Sequence, residues 1–249
     1  MAKCRLVIGG CLIWLSMLSF ADNEARPVLR VVSDVWAPMT GPSLTRNGMS
    51  IHFAQQLFDE LGYDIKVSFL PWKRIEKMMG TDQFDVIAAL WKTSDREKKM
   101  AFTKAYEHNR LVFISREVDQ FAYTNANSFN GLSVGLVSGY AYPDAVFQLE
   151  NVEFQYVAES RQNILKLARG RVHLIIGDYF VMKYEASRHL SPYQKLHFDL
   201  ENALSDVPLF MAVSRSHPEH EALVEKLDIL IDQHIQSGRY EQLKQFHGL

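Results

Sequence analysis

Two successive α/β units, each a sheet flanked by helices, are what this sequence predicts. Strand-like and helix-like segments alternate in two β-α-β series between Val28 and Asp178. Phe84–Leu90 is nearly all apolar and Val172–Ile176 also reads as buried, as for parallel strands covered on both faces. No low-complexity linker divides the series, so short strand-like crossings are expected to join them.

Ahead of the first strand, Lys3 and Arg5 precede an apolar run, Leu6–Phe20, and Ser19-Phe20-Ala21 puts small residues at the −3 and −1 positions. That is the layout of a secretory signal peptide over residues 1–21, cleaved after Ala21, with the exported chain beginning at Asp22 in the periplasm. A spanning helix needs about 20 predominantly apolar residues. This run is shorter, carries Gly9 and Gly10, and gives way at once to Asp22, Asn23 and Glu24. Cys11 is a poor lipid-attachment site, because cutting there would leave Leu12-Ile13-Trp14-Leu15 at the new start. Both cysteines, Cys4 and Cys11, lie in the leader, so the exported part needs no disulfides. Of 27 Lys and Arg, removal of Lys3 and Arg5 leaves 25 against 29 Asp and Glu, a formal charge of −4. That balance favours neither nucleic acid nor an anionic membrane surface.

The first series opens with the strand Val28–Ser33. Ile51, Ala54, Leu57, Phe58 and Leu61 then share one helical face, closed by Gly62. A strand at Ile65–Leu70, a short helix opened by Pro71 and the strand Phe84–Leu90 follow. The second series reads as a strand at Leu132–Val137, a helix at Tyr142–Leu149 and a strand at Glu153–Val157. Ser160 is placed to cap a helix carrying Ile164, Leu165, Leu167 and Ala168 and ended by Gly170, and Asp178 opens the helix after the next strand. Pro208–Ser214 reads as a further strand. Ser216 and Glu219 have capping-box spacing, with Pro218 in the first turn. Leu223, Val224, Leu227, Leu230, Ile231 and Ile235 form the stripe of the helix they open, which runs to Gly238, and a short helix, Arg239–Phe246, ends the chain.

In open α/β sheets, ligands bind beyond the carboxyl ends of the parallel strands. Directly after the inferred strands stand Asp34 and Trp36, then Trp72, then Trp91, Thr93 and Arg96. In the second series the corresponding residues are Ser138, Gly139 and Tyr140, then Asp178 and Tyr179. Large aromatics gathered with an arginine and an aspartate suit a cleft for a small polar molecule. Plainer readings stand beside this one. A tryptophan after a strand often only rims a core, Arg96 lies in the charged run Lys92–Lys99, and Asp178 can simply cap its helix. Gly135–Gly139 has the form of an anion-binding turn at a helix start, but a strand-turn-helix joint needs glycine in any case.

Several segments, in order, resemble family 3 of the bacterial extracellular solute-binding proteins, the periplasmic amino-acid-binding type used by ABC importers. Leu29–Asp34 resembles the opening strand of that family, Gly48–Gly62 its first helix, and Phe84–Ala89 its "D-v-i" strand. Thr93-Ser94-Asp95-Arg96 matches its T-x-x-R motif, and Phe102–Tyr106 its F-S-x-P-Y segment. Gly131–Gly139, Leu167–Val172 with Asp178, and Ser237–Tyr240 resemble its later motifs. The resemblance implies a type II periplasmic binding protein fold with two lobes crossed twice. Residues 22–108 and 208–249 would form lobe one, 112–204 lobe two, and 107–110 and 205–208 the crossings. It also implies that Arg96 grips a ligand carboxylate and Asp178 the amino group of an amino acid or related zwitterion. The implied partner is an inner-membrane ABC permease or a membrane sensor, and a monomer is expected. Ala105 stands where that pattern has proline, His173 where it has aspartate, and bulky Trp91 where it has a small residue.

No catalytic residue, metal or cofactor is expected. The sequence has no G-x-S-x-G elbow, no H-E-x-x-H and no Walker-type G-K-[ST], and no cysteine nucleophile outside the leader. His217 and His220 read as solvated residues at a helix start. The rival activity is that of a dehydratase resembling the cyclohexadienyl type, which uses the same architecture.

Overall fold

The protein is described by a computed structural model covering residues 25–119 and 121–249. The leader and its cleavage point lie outside the described residues.

The chain runs through β1 (Val28–Ser33), α1 (Met49–Glu60), β2 (Asp64–Phe69), α2 (Trp72–Met78), β3 (Val86–Trp91) and the single turn α3 (Ser94–Glu97). Then come β4 (Met100–Arg116), β5 (Ser133–Val137), α4 (Asp144–Phe147), β6 (Glu153–Val157), α5 (Ser160–Ala168), β7 (Leu174–Asp178) and α6 (Tyr179–His189). The last elements are β8 (Leu196–Asp199), β9 (Ser205–Ser214), α7 (His220–Gln236) and α8 (Arg239–Phe246).

The strands pair in the order β2-β1-β3-β9-β4-β7-β5-β6, with β8 on β4. Two parallel trios stand out, β2-β1-β3 and β7-β5-β6, each with its sequence-first strand in the centre. Antiparallel β9 and β4 connect them. Their register runs from Met100 opposite Ser214 to Leu111 opposite Ser205. β9 also pairs with β3, Trp91 facing Leu209, while Leu111 on β4 faces Asp178 on β7. Ala105 lies between two register shifts of the β4–β9 ladder, a local bulge at the position where proline was the expected residue.

Apolar periodicity explains the helices that pack on these trios. Ile51, Ala54, Leu57 and Phe58 of α1 are all buried, and Gly62 adopts φ 82° just past the helix end, where a Cβ would be strained. Leu223, Leu227 and Ile231 form the buried stripe of α7. Ile235, assigned to that stripe from sequence, is exposed, and His234 takes the inward place with its ring N on Glu60 Oε1 at 2.8 Å.

Two cap expectations and one helix length are corrected. The Ser216–Glu219 capping box does not form: α7 starts at His220, and Ser216 Oγ instead donates to Thr81 O at 2.6 Å. A competing main-chain acceptor has taken the hydroxyl. Ser160 is the first residue of α5 rather than its cap. Glu159 fills that position, in a capping box with Gln162. The helix expected over Tyr142–Leu149 shrinks to the single turn α4, because the Tyr142 hydroxyl is held back by the Val137 N–H at 3.0 Å and Pro143 stands at the N-cap.

Candidate ligand-binding site

Each strand end presents its side chains through a local device. After β1 the chain folds back in a tight turn in which Trp36 N–H donates to Thr40 O at 2.9 Å and Thr40 Oγ1 to Asp34 O at 2.8 Å. Trp91 is the last residue of β3 and Trp72 the first of α2. Thr93 caps α3, its Oγ1 accepting Arg96 N–H at 3.3 Å, which turns the Arg96 side chain inward until only 7% of the residue is exposed. Gly139 follows β5 at φ 79°, and a Cβ there would lie 3.0 Å from Trp72 Cδ1.

These devices bring six of the predicted residues around one small pocket: Asp34, Trp36, Trp72, Trp91, Arg96 and Tyr140. It encloses about 30 Å³, room for a water or two. Three of the rings stand edge-on to one another, with centroids 5.7 Å apart for Trp36–Trp91, 5.6 Å for Trp91–Tyr140 and 6.4 Å for Trp36–Tyr140. Arg96 lies 4.8 Å from the Trp72 ring, a cation–π distance. Its Nη1 donates to Trp91 O at 2.7 Å and its Nη2 to Gly139 O at 3.2 Å. Trp72 Nε1 donates to the same Gly139 oxygen at 3.0 Å.

Other predicted residues stand apart from this pocket. Ser138 lines an adjoining groove of about 510 Å³, with Asp34, Trp72 and Tyr140 on the shared border. Thr93 lines a separate opening with Glu76 and Lys99. Asp178, 2% exposed, caps α6 by accepting Val181 N–H at 2.9 Å and is not part of the pocket wall. Two neighbours were not foreseen. Glu76 Oε1 lies 3.9 Å from Arg96 Nη2; it sits four residues after Trp72 on α2, a spacing that shares a helix face and was legible. Asn109 accepts Trp91 Nε1–H at 2.8 Å. It reaches Trp91 only through the pairing of non-consecutive strands, which no local pattern announces.

The electrostatics are unusual for a solvent-facing cleft. Burial pushes the Asp34 carboxyl up to about 6, against the opposing pull of its own backbone N–H and of Arg96. Burial likewise raises Asp178 to about 6, against the hydrogen bond from Val181 N–H and the lowering influence of the nearby Asn109 amide. Arg96 is lowered by burial and raised by Glu76 and Asp34. Tyr140 is raised well above its ordinary value, first by burial and then by the charge of Asp34, with Asp178 contributing too. Two desolvated carboxylates therefore flank a ring of aromatic faces, and both gain from a nearby cation.

Residues 29–248 match the bacterial extracellular solute-binding proteins, family 3. The chain belongs to this family. Over 131 residues it is 28% identical to a protein of Escherichia coli (strain K12) named as an ABC transporter arginine-binding protein, covering 52% of this chain. That match spans about half of the relative, 47% of its length. Among solved structures, an amino acid ABC transporter substrate-binding protein from Streptococcus pneumoniae bound to L-arginine superposes with a TM-score of 0.74 at 19% identity, over 88% of this chain and 94% of that one. An ancestral amino-acid-binding protein, described as a precursor of cyclohexadienyl dehydratase, gives 0.72 at 19% identity over 88% and 93%. These likenesses establish the two-lobed type II fold of the solute-binding family. Among the described residues, no helix is long and apolar enough to cross a membrane.

Proposed function

We propose that this family 3 protein captures a cationic amino acid of the arginine–lysine class in the periplasm, for delivery to an inner-membrane ABC permease, and performs no reaction on it. The observation that carries this reading is the meeting of Arg96 and Asp34 inside one aromatic enclosure, with Asp178 close behind Tyr140. A guanidinium presents a planar fork suited to a carboxylate. Trp36, Trp72 and Trp91 offer faces on which an extended cationic side chain can lie. Asp34 then neutralises that side chain, and Asp178 receives the α-ammonium. The names of the relatives, arginine-binding and arginine-bound, agree with this chemistry.

In the proposed lobe division, residues 22–108 and 208–249 face residues 112–204 across the cleft. The cleft opens when Gly139, on the second lobe, leaves Trp72 and Arg96 on the first. An entering carboxylate replaces the Trp91 and Gly139 oxygens on Arg96, exchanging neutral acceptors for a charged one, which forms roughly twice as strong a hydrogen bond. Closure then removes the ion pair from water. Asp178 is 2% exposed and lies outside the pocket wall, so the ligand's α-ammonium reaches it only when the closed site rearranges.

Isothermal titration with L-arginine, L-lysine, L-ornithine, L-glutamine and L-glutamate tests the reading. Saturable one-to-one binding confined to the cationic members is expected, and preference for glutamate or glutamine would sink it. Incubation with prephenate or arogenate should yield no aromatic product, whereas turnover would make the protein an enzyme.

A further inference from the structure

Trp91 and Asn109 come from strands that do not touch. Trp91 pairs with Leu209 on β9, and Val207 on β9 pairs with Asn109 on β4, so the indole reaches across one intervening strand. Asn109 is fully buried, and Trp91 is 6% exposed. The 2.8 Å bond from Trp91 Nε1–H settles which end of the Asn109 amide is which, because an indole N–H can only donate and so needs the carbonyl oxygen. The amide NH2 is thereby turned away from Trp91, and Asn109 stands two residues along β4 from Leu111, the ladder neighbour of Asp178, so that Asn109 and Asp178 are diagonal neighbours on one face of the sheet.

Among the described residues, neither Asn109 Nδ2 nor Asp178 Oδ2 has a hydrogen-bond partner of its own, although both are buried. A buried donor and a buried acceptor left short of each other are costly. Here they lie on adjoining strands, at the edge of the aromatic wall. Asn109 acts on the Asp178 carboxyl closely enough to help hold its charged form.

We propose that Asn109 is a positioning residue for ligand selectivity, clamping Trp91 as the inner wall of the pocket while steering the Asp178 carboxylate towards the ligand's α-ammonium. This rests on the amino-acid reading above and assigns a role on the β4 crossing that the T-x-x-R arginine and Asp178 do not supply. Trp91 is the bulky departure from the family pattern, and Asn109 is what holds that bulk in place. A Trp91 ring free to tilt would change the depth of the pocket, and a flipped Asn109 amide would turn its oxygen towards Asp178 and repel it.

The test uses the affinity ratio between L-arginine and N-α-acetyl-L-arginine, which isolates the contribution of the α-ammonium. Asn109→Leu and Trp91→Phe should each narrow that ratio by about tenfold, the worth of one charge-assisted hydrogen bond. Because both act through one amide, the double variant should narrow it no further than either single variant does. In the unmodified protein the Trp91 indole N–H, assigned by its loss in Trp91→Phe, should exchange slowly with solvent by NMR, with or without ligand. Additive effects, a ratio unchanged in Trp91→Phe, or a fast-exchanging Trp91 indole would each overturn the proposal. Should Asn109→Leu fail to fold, the Trp91→Phe ratio still decides. A parent protein that binds neither compound removes the amino-acid reading itself. Binding by the parent with an unchanged ratio in the variants removes only the role of Asn109.

Discussion

The Arg96 guanidinium donates to the main-chain oxygen of Gly139 across 3.2 Å, joining the helical turn after β3 to the turn after β5. The two residues stand 43 positions apart and belong to different parallel trios of the sheet. Through this bond the group best suited to a carboxylate also fastens the two halves of the molecule. On the proposed reading, a ligand that takes Arg96 competes with this bond, and its apparent affinity is reduced by the fraction of molecules that hold it.

Replacement of Arg96 follows directly. Arg96→Ala should weaken binding of a cationic amino acid by an order of 2–5 kcal/mol, because a buried carboxylate is left without its charged partner. Arg96→Lys should recover only part of this, since an ammonium cannot meet a carboxylate with the two parallel donors of a guanidinium fork. Calorimetric titration measures both, and far-UV circular dichroism should show an unchanged fold. Normal binding by Arg96→Ala would end the carboxylate assignment.

Gly139→Ala probes the same joint from the other side. The new methyl would meet Trp72 at 3.0 Å on a backbone with φ 79°, so both the contact and the conformation resist it. The expected result is a larger radius of gyration in small-angle X-ray scattering and weaker ligand binding, with little loss of secondary structure. An unchanged radius would mean that the turn adjusts without parting the halves.

Asp178 predicts a stability effect with a definite sign. Its pKa rises from an ordinary 3.8 to about 6 on folding, chiefly through burial, so the folded chain binds that proton more tightly than the unfolded one. Ionisation then opposes folding fully above about pH 6, and the opposition fades as pH falls towards 3.8. Asp178→Asn keeps an oxygen for Val181 N–H and removes the charge. It should raise the melting temperature of the unliganded protein at pH 8, by the equivalent of up to about 3 kcal/mol, with the gain vanishing near pH 4. A lower melting temperature at pH 8 would show that the carboxylate is stabilising as it stands.

How much of this was legible in advance depends on range. Arg96, Asp34 and the three tryptophans follow strand ends, and the rule that ligands gather there needs only local pattern. Gly139 was legible as a turn, yet its carbonyl bond to Trp72 was not, because the partner lies 67 residues away. β4 is the clearest omission: its 17 residues alternate poorly and carry charges, since the first stretch pairs with β9 and the last with β7 and β8 on its two sides. No single two-residue period survives such a change of neighbours. The failed capping box at Ser216 has the same origin, a main-chain acceptor supplied from Thr81.

Asp34 supplies a pH test of ligand class. If its carboxylate receives the side-chain cation, affinity for L-lysine should fall as pH drops through about 6, where this buried carboxyl takes up a proton. Asp34→Asn should reproduce the low-pH affinity at pH 8 and lose most of that dependence. Titrations at pH 5, 6, 7 and 8 would measure this, and parallel curves for parent and variant would contradict it.

β9 lies between β3 and β4, yet it is the last strand of the chain. Until residues 205–214 have been synthesised and released, β3 and β4 can have no neighbour on that side, and the first parallel trio remains a sheet with an open edge. Native pairing must then wait for nearly the whole polypeptide, a high-contact-order arrangement that folds slowly. Incomplete forms of such a chain present unpaired strand edges, open to pairing with one another.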